Sequence, residues 1–309
     1  MRSKQELETA IRRDRRAALV VNAQSRRGRH LYESARQSLE RAGFQLVGGY
    51  PVDRPDELET SLAAATSGGP DLLVVGGGDG TVGAAARHLA HRDVALGLLP
   101  LGTTNNFGRS LGIPLDLEGA VGLLLDGKVT DVDLGLAGDL SFANHVGVGL
   151  SADIAAKAPR RLKRIAGRYA YPVTALALLV RHRPVRATIT AHGGRHTFHT
   201  HQLYVANGGF HAGRPITADT DPDDKLLIVY PVGGPGRRDL LLATARNAST
   251  GHRRTIREEP FLAVDELLLE TDRTAAVEVD GELHGRTPMR ISLDANALRV
   301  VAGQDFKDR

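Results

Sequence analysis

The first half of the chain alternates short, unbroken apolar runs with stretches in which apolar residues recur every three to four positions. The runs are AALVVN, FQLVGGY, DLLVVGGG and ALGLLPLG, and the periodic stretches lie near 31–42, 55–66 and 82–90. Unbroken apolar runs suit strands buried on both faces, and the helical period between them supplies the crossovers. Three or four such units predict a parallel, doubly wound α/β sheet. Ligands of such sheets bind beyond the carboxyl ends of the strands. Those ends carry the loops NAQSRRG, GGGDGTVG and LGTTNNFG. From about Val129 the pattern shortens to VTDVDLGLA, LSFANHVGVGL, VRATITA, THQLYVANGG, KLLIVYPV, EPFLAVDELLLETD, AAVEVDGE, MRISL and ALRVVA. This spacing predicts an antiparallel β-sandwich or barrel. A basic helical insertion over 157–179 and a helix near 238–249 interrupt it. The change of texture sets an α/β domain at 1–132 and a β-sandwich domain at 133–309, with the C-terminal tail able to pack back on the first.

Length agrees with two domains, because 309 residues exceed the usual size of a single core. The absence of cysteine excludes disulfides, thiolate zinc sites and a cysteine nucleophile, and it fits a reducing compartment. MRSKQELETAIRRDRR has no apolar centre of the kind a secretory signal needs. YAYPVTALALLV is too short to span a bilayer, which takes about 20 residues. No transmembrane segment is expected.

Charge is unevenly placed. The net +4 hides a window, Ile154 to Ala218, with 11 Lys and Arg and no Asp or Glu, leaving 29 basic against 36 acidic residues elsewhere. Such a patch attracts phospholipid headgroups or nucleic acid, although a solvated basic face has the same composition. Within it, KAPRRLKRIAGRYAYPVTALALL joins a basic half to an apolar half around Pro172. A membrane surface and acyl chains would suit those halves, and core packing would also explain the leucines.

Gly78, Gly80 and Gly83 have the G-x-G-x-x-G spacing of a dinucleotide finger. That finger needs an acidic residue about 20 positions on, at the end of the next strand. Here the next acid, Asp93, precedes a strand that ends in Pro100, Leu101 and Gly102. The P-loop and protein-kinase patterns are absent as well. Two readings remain: a backbone cradle for a metal-nucleotide, with a cation offsetting Asp79, or a tight turn in which Asp79 caps a helix.

LPLGTTNNFGRSLGIP, taken with VVGGGDGTVG, resembles the diacylglycerol kinase catalytic-domain family of bacterial lipid kinases, relatives of NAD kinases and sphingosine kinases. The likeness continues in order through VTDVDLGLAGDLSFANHVGVGLSADI, VANGGFHAGRPITADTDPDDKLLIVY and VEVDGELHGRTPMRISLDANALRVVAG, and so covers nearly all of the chain from Ala17. It implies a two-domain fold, ATP and Mg²⁺ as cofactors, and a lipid alcohol as acceptor. The family's first nucleotide loop falls on Asn22 to Arg26, where Asn22 and Ser25 match and Arg26 stands in the place of glycine. Its GGDGT element falls on Gly77, Gly78, Asp79, Gly80 and Thr81, and its second loop matches at Gly102, Thr103 and Asn105. The chain departs from the family at Val52, Gly83, Ala84 and Asn106.

The resemblance also implies a structural Mg²⁺ in TDPDDKLL, held by Asp223 and the carbonyls of Thr220 and Lys225. An acidic turn without metal is the alternative there. In DGE, Glu282 falls where the family places its proton acceptor, with Asp280 orienting it or the metal. Without the resemblance, DG after a strand reads as a hairpin turn. HTFHTH predicts an exposed strand face carrying His199 and His201, and GLSAD lacks the second glycine of a nucleophile elbow. Taken together, these features predict an ATP-dependent lipid kinase, cytoplasmic and peripheral to the inner membrane face. The alternatives are a non-catalytic nucleotide or anionic-lipid sensor, or an NAD kinase. Nucleic acid is disfavoured because only Tyr169 and Tyr171 interleave the basic segment. The sequence is silent on oligomeric state and compatible with a homodimer.

Overall fold

The structure is a computed structural model that describes residues 2–24, 28–157, 182–211, 214–215, 222–236, 238 and 262–307. Two compact units are present. The first comprises Met1–Leu134, Asp221–Asp224 and Asp294–Arg309, and the second Gly135–Thr220 and Lys225–Leu293.

The first unit opens with a helix that hydrophobic runs alone do not announce, α1 (Lys4–Asp14). Ser3 accepts from the Glu6 N–H at its start while Glu6 accepts from the Ser3 N–H, so a capping box offsets modest apolar content. There follow β1 (Arg16–Asn22), α2 (Gly28–Arg41), β2 (Gln45–Val52), α3 (Leu58–Ser67), β3 (Leu72–Gly77), α4 (Asp79–Leu89), β4 (Ala95–Pro100), α5 (Asn106–Ser110), α6 (Leu117–Asp126) and β5 (Lys128–Ala137), whose last residues enter the second unit. The strand order β2-β1-β3-β4 is parallel throughout. Helices α3 and α4 pack together against one set of strands and α2 against α6, the doubly wound arrangement. Strands β3 and β4 are buried along their whole length, as continuous apolar runs require, whereas edge strand β2 alternates between partial burial and exposure.

The second unit contains β6 (Leu140–Phe142), β7 (His145–Gly149), α7 (Leu150–Lys157), β8 (Val185–Ala191), β9 (Gly194–Thr200), β10 (Gln202–Asn207), the two-residue strands β11 (Phe210–His211) and β12 (Arg214–Pro215), then β13 (Leu227–Val232), β14 (Leu262–Val264), β15 (Glu266–Thr271), β16 (Ala276–Val279), β17 (Glu282–Arg286) and the start of β18 (Met289–Ala302). An antiparallel sheet runs β14-β13-β10-β7-β16-β17, and a second antiparallel ladder runs β18-β15-β8-β9. One core joins them, with Val146, Val148, Val205, Val229 and Val277 from the first facing Ile189, Phe198, Leu267 and Ile291 from the second. This is a β-sandwich.

Two sequence expectations change. MRISL and ALRVVA form a single strand, β18, whose residues from Asp294 belong to the first unit, with Val300 paired parallel to Leu96 of β4. The exposed His face holds only for His199. Strand β9 stops at Thr200, and His201 is fully buried with its Nδ1 2.9 Å from Nδ1 of His182. The basic insertion beyond Lys157 and the helix expected after Arg238 lie outside the described residues.

An ion network fastens the start of the first unit. Asp93 accepts from Arg2 Nε at 2.8 Å and from Arg299 Nη1 at 2.8 Å, and Arg2 Nη1 also reaches Asp71 at 2.6 Å. Burial opposes ionisation of Asp93, but the two guanidinium groups outweigh it and hold the carboxyl below its usual range. A lowered carboxylate contributes stability that is present above the unfolded-state value, about 3.9, and is lost as pH falls through the folded value. Because the pair is about a third exposed and screened by solvent, Asp93→Asn should lower stability by about 1 kcal/mol at neutral pH. In denaturant titrations across pH, that difference should shrink as the parent is taken below the carboxylate range.

Candidate functional site

The carboxyl ends of three parallel strands gather most of the expected nucleotide residues within the first unit. Val21 of β1 is opposite Gly76 of β3, which is opposite Leu99 of β4, so Asn22, Gly77 and Pro100 end their strands side by side. Asn22 donates from Nδ2 to the Thr81 hydroxyl at 3.1 Å, joining the first loop to the start of α4. Glycine is required where the loops meet. A Cβ on Gly102 would lie 2.3 Å from the Cα of Gly78, and one on Gly77 would strike the Thr81 side chain at 2.7 Å. Gly80 is different, since nothing lies within 4 Å of the place its Cβ would occupy. The cradle is thus closed behind and open at Gly80.

Asn105 holds the second loop. It sits in the left-handed region at φ 48°, its Oδ1 accepts from the Gly102 N–H at 3.0 Å, and its Nδ2 donates to the Pro100 and Gly102 carbonyls at 3.1 and 3.0 Å. Its amide is therefore engaged inside the loop. Thr103 is exposed and its hydroxyl makes no hydrogen bond among the described residues. Asp79 acts as a helix cap, but of a neighbouring helix. Its carboxylate accepts from the Thr104 hydroxyl at 2.7 Å and the Phe107 N–H at 3.2 Å, so it caps the neighbouring helix α5 and not its own. Sequence reasoning missed Thr104, although the doubled threonine of LGTTNNFG is its signal. Ser25 and Arg26 lie outside the described residues.

The residues at which the chain departs from the family turn inward. Val52, Gly83, Ala84 and Asn106 are all buried. At Val52, Gly83 and Ala84 the chain therefore buries apolar or small residues.

In the second unit Asp280 and Gly281 form a two-residue hairpin turn between β16 and β17, with φ of 48° and 91°. Positive φ at both centres is the turn that Asp-Gly favours. The Asp280 carboxylate accepts from three successive N–H groups, those of Ala143 at 2.8 Å, Asn144 at 3.0 Å and His145 at 3.0 Å. Burial pushes this carboxyl up, against the pull of His145 and the three donors. Asp280 is thus spent on the backbone before β7. Glu282, the first residue of β17, is exposed and makes no hydrogen bond or ion pair among the described residues.

Beneath that turn lies a residue the sequence did not flag. Glu278 is 3% exposed, accepts from the Gly281 N–H, and has Oε1 3.4 Å from His145 Nε2. Burial raises its carboxyl, but His145 together with the Gly281 N–H and Ser151 outweighs it and leaves the group below its ordinary value. Burial pushes the hydroxyls of Tyr204 and Tyr230 up, and the nearby Glu278 charge adds to this. The available signal was one charge between Val277 and Val279 in a run that is otherwise apolar.

The proposed metal residues are only partly described. Asp223 is fully buried, Lys225 is exposed at φ 58°, and Thr220 lies outside the described residues. Among the described residues no three His, Asp or Glu side chains converge as a metal cluster. A set of one carboxylate and two carbonyls is nonetheless all oxygen, the donor type that Mg²⁺ takes. The open cradle at Gly80, with the free Thr103 hydroxyl and the first turn of α4, likewise suits phosphate oxygens.

No helix among the described residues is long and apolar enough to cross a membrane. Comparison with known proteins gives two adjoining domain matches: the diacylglycerol kinase catalytic domain over residues 16–137, and the YegS C-terminal NAD kinase beta sandwich-like domain over 144–302. A Staphylococcus aureus diacylglycerol kinase is 26% identical over 302 residues, covering 94% of each chain. A Staphylococcus epidermidis diacylglycerol kinase is 26% identical over 284 residues, covering 89% of this chain and 88% of the relative. The crystal structure of a Bacillus anthracis diacylglycerol kinase superposes with a TM-score of 0.72 at 23% identity, over 94% of this chain and 98% of that one. With its two domains matched in order across most of its length, the chain belongs to the diacylglycerol kinase catalytic-domain family, with a second domain of the YegS type.

Proposed function

We propose that the protein is an ATP- and Mg²⁺-dependent lipid kinase that transfers the γ-phosphoryl group to the hydroxyl of a diacylglycerol-like or other long-chain lipid. What carries the reading is the presence, in one chain of this family, of a glycine cradle that is closed behind and open at Gly80, at the ends of parallel strands, and of an exposed, unengaged carboxylate, Glu282, at the head of an edge strand. Glu282 accepts the proton of the lipid hydroxyl as its oxygen attacks the γ-phosphorus and the bond to the ADP oxygen breaks. Gly77 to Thr81, Gly102 and Thr103 receive the phosphates, with Asn22, Ser25, Arg26 and Asn105 shaping or flanking the cradle. Mg²⁺ bound with the nucleotide would neutralise phosphate charge, and a second ion at Asp223, Thr220 and Lys225 would be structural. Asp280 positions the base by fixing its turn. The segment 154–218, with 11 basic residues and no acidic ones, supports peripheral docking on an anionic membrane surface at the cytoplasmic face.

Incubation with Mg·ATP labelled at the γ-phosphate and mixed lipid vesicles should give labelled lipid in the organic phase. Transfer to NAD with none to lipid would make the chain an NAD kinase. Nucleotide or lipid binding without turnover at high protein concentration would make it a sensor. Glu282→Gln should lower kcat by about 10²–10⁴-fold with an unchanged melting temperature, since the side chain is exposed and makes no hydrogen bond or ion pair among the described residues.

Gly80 tests the cradle separately. Gly80→Ala meets no tertiary neighbour within 4 Å among the described residues and should fold with at least parental stability, because alanine is the better helix former. A methyl in the phosphate space should raise the KM for ATP by roughly tenfold or more, the equivalent of one lost hydrogen bond to a charged group. An unchanged KM for ATP would move the phosphates elsewhere.

A further inference from the structure

Across four neighbouring antiparallel strands, Tyr230, Tyr204, Gly147 and Glu278 lie directly opposite one another in a row. Directly opposed residues share a face, and the alternate residues Val146, Val148, Val205, Val229, Val277 and Val279 fill the sandwich core. The row is therefore on the outer face of the sheet, where α7 packs against β7, β16 and β17. Gly147 leaves the space that Glu278 uses, because a Cβ there would lie 2.6 Å from Glu278 Oε2 and 2.6 Å from Ser151 Oγ. His145, two residues along β7, closes on Glu278 from one side and meets Tyr204 edge-on at 5.3 Å between ring centres.

We propose that Glu278 and His145 are positioning residues for phosphoryl transfer. Their contact, with His145 Nε2 3.4 Å from Glu278 Oε1, together with the Gly281 N–H bonded to Glu278 and the N–H groups of 143–145 bonded to Asp280, fixes the turn from which Glu282 departs. This rests on Glu282 being the base. The geometry is a closed loop of constraints. Asp280 holds the segment that begins β7, that segment carries His145, His145 holds Glu278, and Glu278 holds the amide one residue past Asp280. Glu282 follows at once, its side chain making no hydrogen bond or ion pair among the described residues. A base without contacts of its own keeps a defined position only if the backbone beneath it is rigid.

The test measures amide hydrogen exchange and labelled-phosphate transfer in the full chain. Glu278→Ala should speed exchange at Gly281 and lower kcat by roughly 10–100-fold, with KM values for ATP and lipid within about twofold of the parent. Glu278→Gln, which keeps an acceptor for Gly281 but no charge for His145, should fall between parent and Glu278→Ala in both readouts. In a Glu282→Gln background, Glu278→Ala should lower the residual rate no further, because there is no base left to position. Unaltered exchange at Gly281 overturns the proposal, as do losses that multiply in the double variant, the mark of a general loss of folded enzyme. Parental turnover in Glu282→Gln alone overturns the base assignment instead, and the exchange measurement still decides whether the pair holds the turn.

Discussion

One carboxylate, that of Asp280, binds three consecutive backbone N–H groups at the start of β7, and much of the second unit's chemistry hangs on it. A single side chain rarely fixes so much main chain. Ala143, Asn144 and His145 turn into the sheet with their N–H groups facing inward, where unpaired donors cost about 1–3 kcal/mol each. Asp280 satisfies all three from the corner of a hairpin whose geometry, positive φ at two successive residues, selects Asp-Gly in its own right. The same two residues thereby make the turn, join two segments more than 130 positions apart in sequence, and deliver Glu282 to the next strand.

The first unit meets its central constraint with the opposite material. Where the second unit uses a charge to hold backbone, the glycine loops use the absence of side chains. Gly78 and Gly102 approach so closely that no methyl fits between them, and Asn105 then ties Gly102 at both its N–H and its carbonyl. The loops after β3 and β4 behave as one body, with Asp79 adding the first turn of α5 to it through Phe107. Polar side chains that might have faced a ligand are in part consumed in this assembly. What is left outward is backbone and the exposed Thr103, which is the surface a phosphate group meets best.

The legible and illegible parts of this protein divide along physical lines. Strands β3 and β4 read directly because they are buried on both faces, so every residue of DLLVV and ALGLLP reports the same environment. Helix α1 was missed because its signal is a capping box and two buried residues, Leu7 and Ile11, among many charges. Strand β18 was cut in two because Asp294, Ala295 and Asn296 interrupt its apolar pattern, and Asn296, at φ 53°, spends its N–H on Asp133. For the candidate site, the resemblance pointed to Gly77 to Thr81 and to Asp-Gly-Glu, and the structure shows a close approach at Gly77 and a positive-φ turn at Asp280 and Gly281, both of which restrict residue type. The partners of Asp79, Thr104 and Phe107, were not legible because they come from a loop about 25 residues away. His201 was misplaced for a related reason, its partner His182 being remote in sequence.

The buried polar row on the outer face of the sandwich is an expensive choice for a fold of this kind. The inner face of the same sheet is valine, and leucine or valine at 278 would extend that pattern with no desolvation to offset. Taking a carboxylate out of water costs several kcal/mol, and an ion pair returns that only when its geometry and remaining hydrogen bonds are good; apolar replacements are often neutral or more stable. Glu278 does find compensation in His145, Gly281 and Ser151, sufficient to keep it ionised below its ordinary range. Yet the same compensation would be unnecessary if the charge were absent. Stability alone therefore does not account for Glu278. It stands beside a turn that delivers an exposed carboxylate whose side chain makes no hydrogen bond or ion pair among the described residues. Order at that turn, as the proposed positioning of Glu282 requires, would account for the remaining cost, as functional sites commonly break the local rules that the rest of a fold obeys.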